Sequence, residues 1–155
     1  MNTNALIVSD NEVTFEFIGS IEAVKDILND IKDLYPNFEN WLMFKFQKSN
    51  IELGLRNIIV ARTPAGVVGV ALLKKQQEER KICTFFVSPS YRKKGIGSQL
   101  MELSLDWLET KKPLITVSEE RKPFLEPLLR KFNFCQSKAL LGFYREDKFE
   151  YFYNE

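Results

Sequence analysis

The chain has 155 residues, 45% of them apolar and 28% charged, with a formal net charge of +1, a globular balance long enough for one domain (1–155) around one substantial core. Without histidine, and with two cysteines, it has no Ser-His-Asp or Cys-His nucleophile pair, no histidine general base and no zinc site. No apolar run approaches the roughly 20 residues of a membrane span, and "MNTNALIVSDNE" lacks the marks of a signal peptide, so Cys83 and Cys135 are expected as free thiols in a reducing cytoplasm.

"ALIVS" and "VTFEFIG" flank "DNE", which predicts a hairpin of residues 5–9 and 13–18. Ser20 caps a predicted helix whose apolar stripe is Ile21, Val24, Ile27, Leu28, Ile31 and Leu34. Pro36 ends it, because the residue before proline avoids helical geometry. A second helix is expected at 38–50, dense in Phe38, Trp41, Phe44 and Phe46. Strands are expected next at 57–62 and 67–74, joined by "TPAG" with Gly66 at positive φ. The second is apolar on nearly every position, so both of its faces should be buried. "KICTFFV" (81–87) is a third strand, stopped by Pro89.

Ile96, Leu100, Leu103, Trp107 and Leu108 recur at helical spacing, and "PLITV" (113–117) is a short strand. Pro123 opens a helix with Phe124, Leu125, Leu128, Leu129 and Phe132 on one face. Pro127 inside it should kink or shorten it. "ALLGFYR" and "FEYFYNE" close the chain as two strands. This order indicates a mixed α/β (α+β) domain with a largely antiparallel sheet. The helix at 96–110 is a crossover, so its flanking strands should run parallel.

Charge is distributed unevenly. Residues 1–55 carry four Lys/Arg against nine Asp/Glu, residues 56–98 carry nine against two, and the remainder nets −1. A basic middle in a near-neutral chain suggests a local anion site rather than a nucleic-acid surface. The mixed run "KKQQEERK" (74–81) reads as a solvated face. "SPSYRKKGIGSQL" (88–100) is different: it sets Arg92, Lys93, Lys94, Gly95 and Gly97 at a helix start. Unpaired N–H groups and about half a positive charge collect there, and the glycines let consecutive amides form a nest. A pyrophosphate is the natural occupant. The stretch is neither a Walker loop nor a dinucleotide fingerprint, since Leu100 stands where a third glycine belongs.

"FFVSPSYRKKGIGSQLM" resembles motif A of the GNAT superfamily of N-acetyltransferases. Phe85, Val87, Pro89, Tyr91, Arg92, Lys94, Gly95, Ile96, Gly97, Leu100 and Met101 fit its pattern. "LLRKFNF" (128–134) is similar to the end of that family's fourth helix, and the element order matches over roughly residues 13–154. The resemblance implies a single GNAT-like domain with a mixed, mostly antiparallel sheet of about seven strands flanked by about four helices. It also implies acetyl-CoA or another acyl-CoA as cofactor and an amine of a small molecule or protein as acceptor. The pyrophosphate would meet residues 93–98, including Ile96 and Ser98. The pantetheine arm would pair with the backbone of Phe85, Phe86 and Val87 as an added strand, whose N–H groups could stabilise an oxyanion.

In many members of that family a strand carboxylate is the base and a helix tyrosine the acid. The corresponding positions here are Cys83, with Thr84 beside it, and Leu129, which belongs to an apolar stripe. Cys83 could donate a proton or be inert packing. Ser118 and Glu119 end the strand at 113–117; they could serve the sulfur and a proton relay, or merely cap the next helix. Tyr144, Tyr151 and Tyr153 lie on the last strands, facing undetermined. The aromatic cluster of Tyr35, Phe38, Trp41, Phe44 and Phe46 is either the wall of an acceptor groove or core. Two other functions remain open: an acyl-CoA-binding module without catalysis, and a toxin that acetylates aminoacyl-tRNA. No membrane partner is expected, and the chain is expected as a monomer or homodimer.

Overall fold

A computed structural model describes residues 4–8 and 11–155. The first hairpin pairs β1 (Asn4–Val8) with β2 (Asn11–Ile18) in antiparallel register; the end of the expected first strand, at Ser9, lies outside the described residues. Ser20 caps the next segment, its Oγ accepting from the Glu22 amide at 3.2 Å. The single helix expected here is broken: a 3-10 turn at Ile21–Val24, α1 (Lys25–Leu28) and a second 3-10 turn at Lys32–Leu34. Amides of Asn29 and Ile31 bond three residues back, to Asp26 and Leu28, which is 3-10 geometry. The tighter winding still buries Ile21, Val24, Ile27, Leu28 and Ile31 against the sheet. Tyr35 is extended, as the proline after it demands.

The expected helix at 38–50 divides into α2 (Phe38–Lys45) and α3 (Lys48–Glu52). Phe46 leaves helical geometry between them and is driven into the core at 1% exposure. Phe44 faces solvent at 71% exposure, so it belongs to neither a core nor a groove.

Strands β3 (Arg56–Thr63), β4 (Gly66–Gln76) and β5 (Glu79–Val87) form an antiparallel meander. The run at 74–81 forms the end of a hairpin: both strands extend into it, Gln77 takes φ +57, and none of its residues is buried, in keeping with a solvated face. As expected, β4 is buried on both faces, Val70 and Leu72 on one and Ala71 and Leu73 on the other. Each of the valine and leucine side chains contributes about 1.5–3 kcal/mol by leaving water.

Helix α4 (Ile96–Leu108) crosses over to β6 (Leu114–Ser118), which pairs with β5 in parallel, as a crossover requires. Helix α5 (Lys122–Lys131) packs Leu125 and Leu129 inward and leaves Phe124 59% exposed. It runs four residues past Pro127, so the proline removes one donor without ending the helix. The last strands are β7 (Gln136–Leu141) and β8 (Phe149–Tyr153). β7 starts three residues before the expected "ALLGFYR" strand and stops at Gly142, where φ is +77; residues 142–148 make a loop instead. The sheet order is β1-β2-β3-β4-β5-β6-β8-β7. One face carries α4 and α5, the other the segments between β2 and β3. No helix among the described residues is long and apolar enough to cross a membrane.

Candidate functional site

The site begins at an irregularity in β5. Leu72 pairs with Thr84 but its neighbour Leu73 pairs with Ile82, so Cys83 is an extra, unpaired residue. Such a bulge bends its strand and increases the local twist. The parallel pairing of β5 with β6 ends one residue earlier, at Ile82 and Ile115. Beyond that point Thr84–Val87 and Thr116–Ser118 diverge, and a gap opens inside the sheet.

The Ser88 amide donates to Val68 on β4 at 2.9 Å. By alternation the backbone groups of Phe85 and Val87 therefore face the gap. Their carbonyls are engaged by the protein itself. Arg121 Nη2 donates to the Phe85 carbonyl at 2.7 Å, and Arg92 Nε to the Val87 carbonyl at 2.9 Å. Both guanidinium groups also stand over the Phe86 ring, at 5.1 and 5.4 Å. Arg121 is 9% exposed, and burial draws its pKa down to about 10. A space of about 10 Å³ remains beside it.

On the α4 side, Lys93 (φ +61) and Gly95 (φ +90) are left-handed, and Ile96 starts the helix. These two turns aim the first amides of α4 outward beside the exposed Lys93 and Lys94. Gly97 is ordinary helix: a Cβ there would meet Leu128 Cδ2 at 3.4 Å, an ordinary contact, so neither backbone nor space requires a glycine. Arg92 turns back onto the strand end instead of the helix mouth. Lys131, which sequence spacing does not single out, joins the mouth by donating to Ser98 Oγ at 2.7 Å.

On the opposite face lies a pocket of about 210 Å³. Tyr35, Phe38, Trp41 and Tyr144 wall it, and Lys81, Cys83, Thr84 and Thr116 line its base. Tyr144 meets Tyr35 edge-on at 5.3 Å, and Trp41 meets Phe46 at 5.5 Å. Behind Tyr35 is a buried polar cluster. The Tyr35 hydroxyl donates to Glu150 Oε2 at 3.4 Å. Ser118 is the cross-strand partner of Glu150; it is fully buried, and its Oγ has no hydrogen-bond partner among the described residues. Burial raises the pKa of Glu150 above the usual carboxylate range. Burial, then the Glu150 charge, raises that of Tyr35. Burial likewise pushes the Cys83 thiol up.

Of the residues singled out from sequence, Ser118 and Cys83 come to this face. Glu119 does not: its Oε1 accepts from the Phe149 amide at 2.7 Å and it lines a different surface, with Lys122, Glu126 and Arg130. Leu129 is fully buried core. Tyr151 and Tyr153 face α5, each ring under Lys122, so Tyr144 alone of the three tyrosines reaches the pocket. Glu150, Arg121 and Tyr35 as a polar group have no local signal. Each derives its role from neighbours distant in sequence.

Tyr144 is held by its neighbour. Arg145 makes two bonds to the Glu120 carboxylate, at 2.7 and 2.6 Å, and that pairing lowers the Glu120 pKa to about 2. Because the folded value lies below the ordinary 4.5, the ion pair stabilises the fold above about pH 4.5 and is lost as pH falls toward 2. The pair is partly open to solvent, so the effect is modest. The melting-temperature difference between the protein and Glu120→Gln should be constant above about pH 5 and shrink below about pH 4.5.

The family model described as "Acetyltransferase (GNAT) family" matches residues 21–132. No curated protein matches the chain. Among solved structures, the NatC complex bound to Gag peptide and CoA aligns with a TM-score of 0.71 at 15% identity, over 91% of this chain and 96% of that one. A GNAT family acetyltransferase from Elizabethkingia anophelis with acetyl-CoA bound aligns at 0.60 and 17% identity, over 91% and 95%. Nourseothricin acetyltransferase aligns at 0.57 and 16% identity, over 64% of each chain.

Proposed function

The chain belongs to the GNAT family of acetyltransferases, and on that premise we propose that it transfers an acetyl group from acetyl-CoA to an amine held in the aromatic pocket. One observation carries this reading: the Cys83 bulge opens a gap with a cationic helix entrance on one side and a pocket backed by a buried acid on the other. The residues fit such a cofactor. The outward amides of Ile96–Ser98, with Lys93, Lys94 and Lys131, would hold its diphosphate, and the N–H groups of Phe85 and Val87 would orient its extended arm. When bound, acetyl-CoA supplies an acetyl group activated on sulfur.

The protein's part is proton management. An amine with pKa near 10.4 is neutral in about one molecule in a few thousand at pH 7, so a base must take its proton. Glu150 suits that role, because burial raises its pKa and a carboxylate so raised is a more effective base than an ordinary one. Tyr35, a hydroxyl on the pocket wall, can donate toward the departing sulfur once Glu150, which accepts it in the free protein, has taken the amine's proton. The reading of a binding module without catalysis leans on Leu129 and Cys83; Glu150 and Tyr35 supply the groups those positions lack.

Incubation with acetyl-CoA and a panel of small amines and peptide N-termini, following free CoA thiol, tests the proposal. Release dependent on an acceptor and well above hydrolysis is expected. Release no faster than hydrolysis with every acceptor class would overturn it.

A further inference from the structure

Three cations stand abreast on the pocket face of the sheet. Arg56 on β3 is the Cα partner of Lys74 on β4, which is the partner of Lys81 on β5, so all three side chains share a face. It is the face of Ile58, Val60, Val70 and Leu72, since Arg56 alternates in step with Ile58 and Lys74 with Leu72. Like charges directly opposite one another destabilise a sheet, so this row is kept at a cost.

Only one of the three forms an ion pair on that face: Lys74 with Glu79 at 2.7 Å, a carboxylate whose charge also reaches Lys81 and Arg56. Lys81 joins no ion pair among the described residues. Arg56 is 6% exposed, yet its Nε and Nη1 meet no hydrogen-bond partner among those residues. A buried guanidinium with unmet donors is expensive unless an anion answers it.

The row borders the pocket. Lys81 lines it directly, beside Cys83 and Thr84. Arg56 sits 5.6 Å from the centre of the Phe46 ring, which packs on the pocket wall at Trp41. Lys81, Arg56 and Lys74 all act on the Cys83 thiol, opposing the burial that raises its pKa. Tyr35 lines the same pocket, with the Glu150 carboxylate behind it. The pocket therefore borders both a row of cations and a carboxylate.

We infer that the pocket receives a compact amine bearing a carboxylate or phosphate, the anion on Lys81 with Arg56 as supporting charge and the amine toward Tyr35 and Glu150. The inference rests on the acetyl-transfer reading for which end reacts, and on the row of cations alone for the anion. An amino acid or an amino phosphate fits such a dipolar, aromatic-walled space; a plain polyamine would set its second cation against Lys81.

Calorimetric titration of the whole protein with two matched pairs tests this: phenylalanine against phenylalaninamide, and phosphoethanolamine against ethanolamine. In at least one pair the anionic member should bind about tenfold tighter or more, and which pair does so tells carboxylate from phosphate. Lys81→Gln, at a half-buried position that joins no ion pair among the described residues, should erase that preference while acetyl-CoA affinity holds within about twofold. Equal binding within both pairs, no binding by any probe, or a preference that survives Lys81→Gln would overturn the inference. Binding needs no turnover, so an anionic probe that binds but is never acetylated counts for the anion site and against the transfer reading. Acetylation without anion preference does the reverse.

Discussion

Gly95→Val should weaken acetyl-CoA binding by roughly a hundredfold, about 3 kcal/mol, while Gly97→Ala keeps most of the affinity. The two glycines stand two residues apart but do different things. Gly95 takes φ +90 immediately before the first residue of α4, where a β-branched side chain is a genuine outlier. To escape the strain the turn must rotate, and the amides of Ile96–Ser98 then no longer converge on one anion. Gly97 lies within the helix, and an added methyl meets Leu128 at an ordinary contact distance. The Gly97→Ala change should even stabilise the fold by up to about 1 kcal/mol, since glycine inside a helix carries excess entropy. Titration of both variants with CoA checks the contrast. Equal losses at the two positions would remove the helix entrance as the diphosphate site.

Glu150→Gln should lower kcat by about 10²- to 10⁴-fold, the range for a positioned general base, with acetyl-CoA affinity unchanged. Burial raises the Glu150 pKa above 4.5, so turnover of the native protein should rise with pH as that group ionises, and the rising limb should vanish in the variant. The stability effect has the opposite sign. A carboxyl whose folded pKa is raised contributes stability below its unfolded value and loses it as pH climbs through the folded one. At pH 7 the glutamine variant should thus be at least as stable as the native protein while far less active. A purely structural role predicts lower stability with little change in the pH profile. A Glu150→Gln protein with native kcat would remove the residue from the mechanism.

Much of this architecture is readable along the chain. Periodicity marks β3, β4, β5, α4 and β6 nearly to their ends, because their apolar patterns repeat over many residues and tertiary packing only reinforces them. The segment from 20 to 52 is less legible. Its apolar positions are plain, but whether the backbone winds as α or 3-10, and where Phe46 swings inward, depends on the sheet surface that it must fit. In the site, Cys83 stands out along the chain as a missing carboxylate, whereas its structural part is to be the extra residue of a bulge. Glu119 draws attention by its place at a strand end, and the turn into α5 directs it to the other surface. Glu150 reads in sequence as one charge in an alternating strand; it becomes a candidate base by standing opposite Ser118 and below Tyr35.

By itself the sequence determined the kind of chemistry: no histidine, a cationic glycine turn opening a helix, and a motif that names a family. Such features are local, set by residue type and spacing within one or two turns of backbone. Only the tertiary structure brings together the groups proposed here to handle protons and the cations proposed to meet the acceptor. Those depend on burial and on groups brought together from positions 35, 56, 81, 118 and 150, and neither desolvation nor a Coulomb field is a property of a single segment.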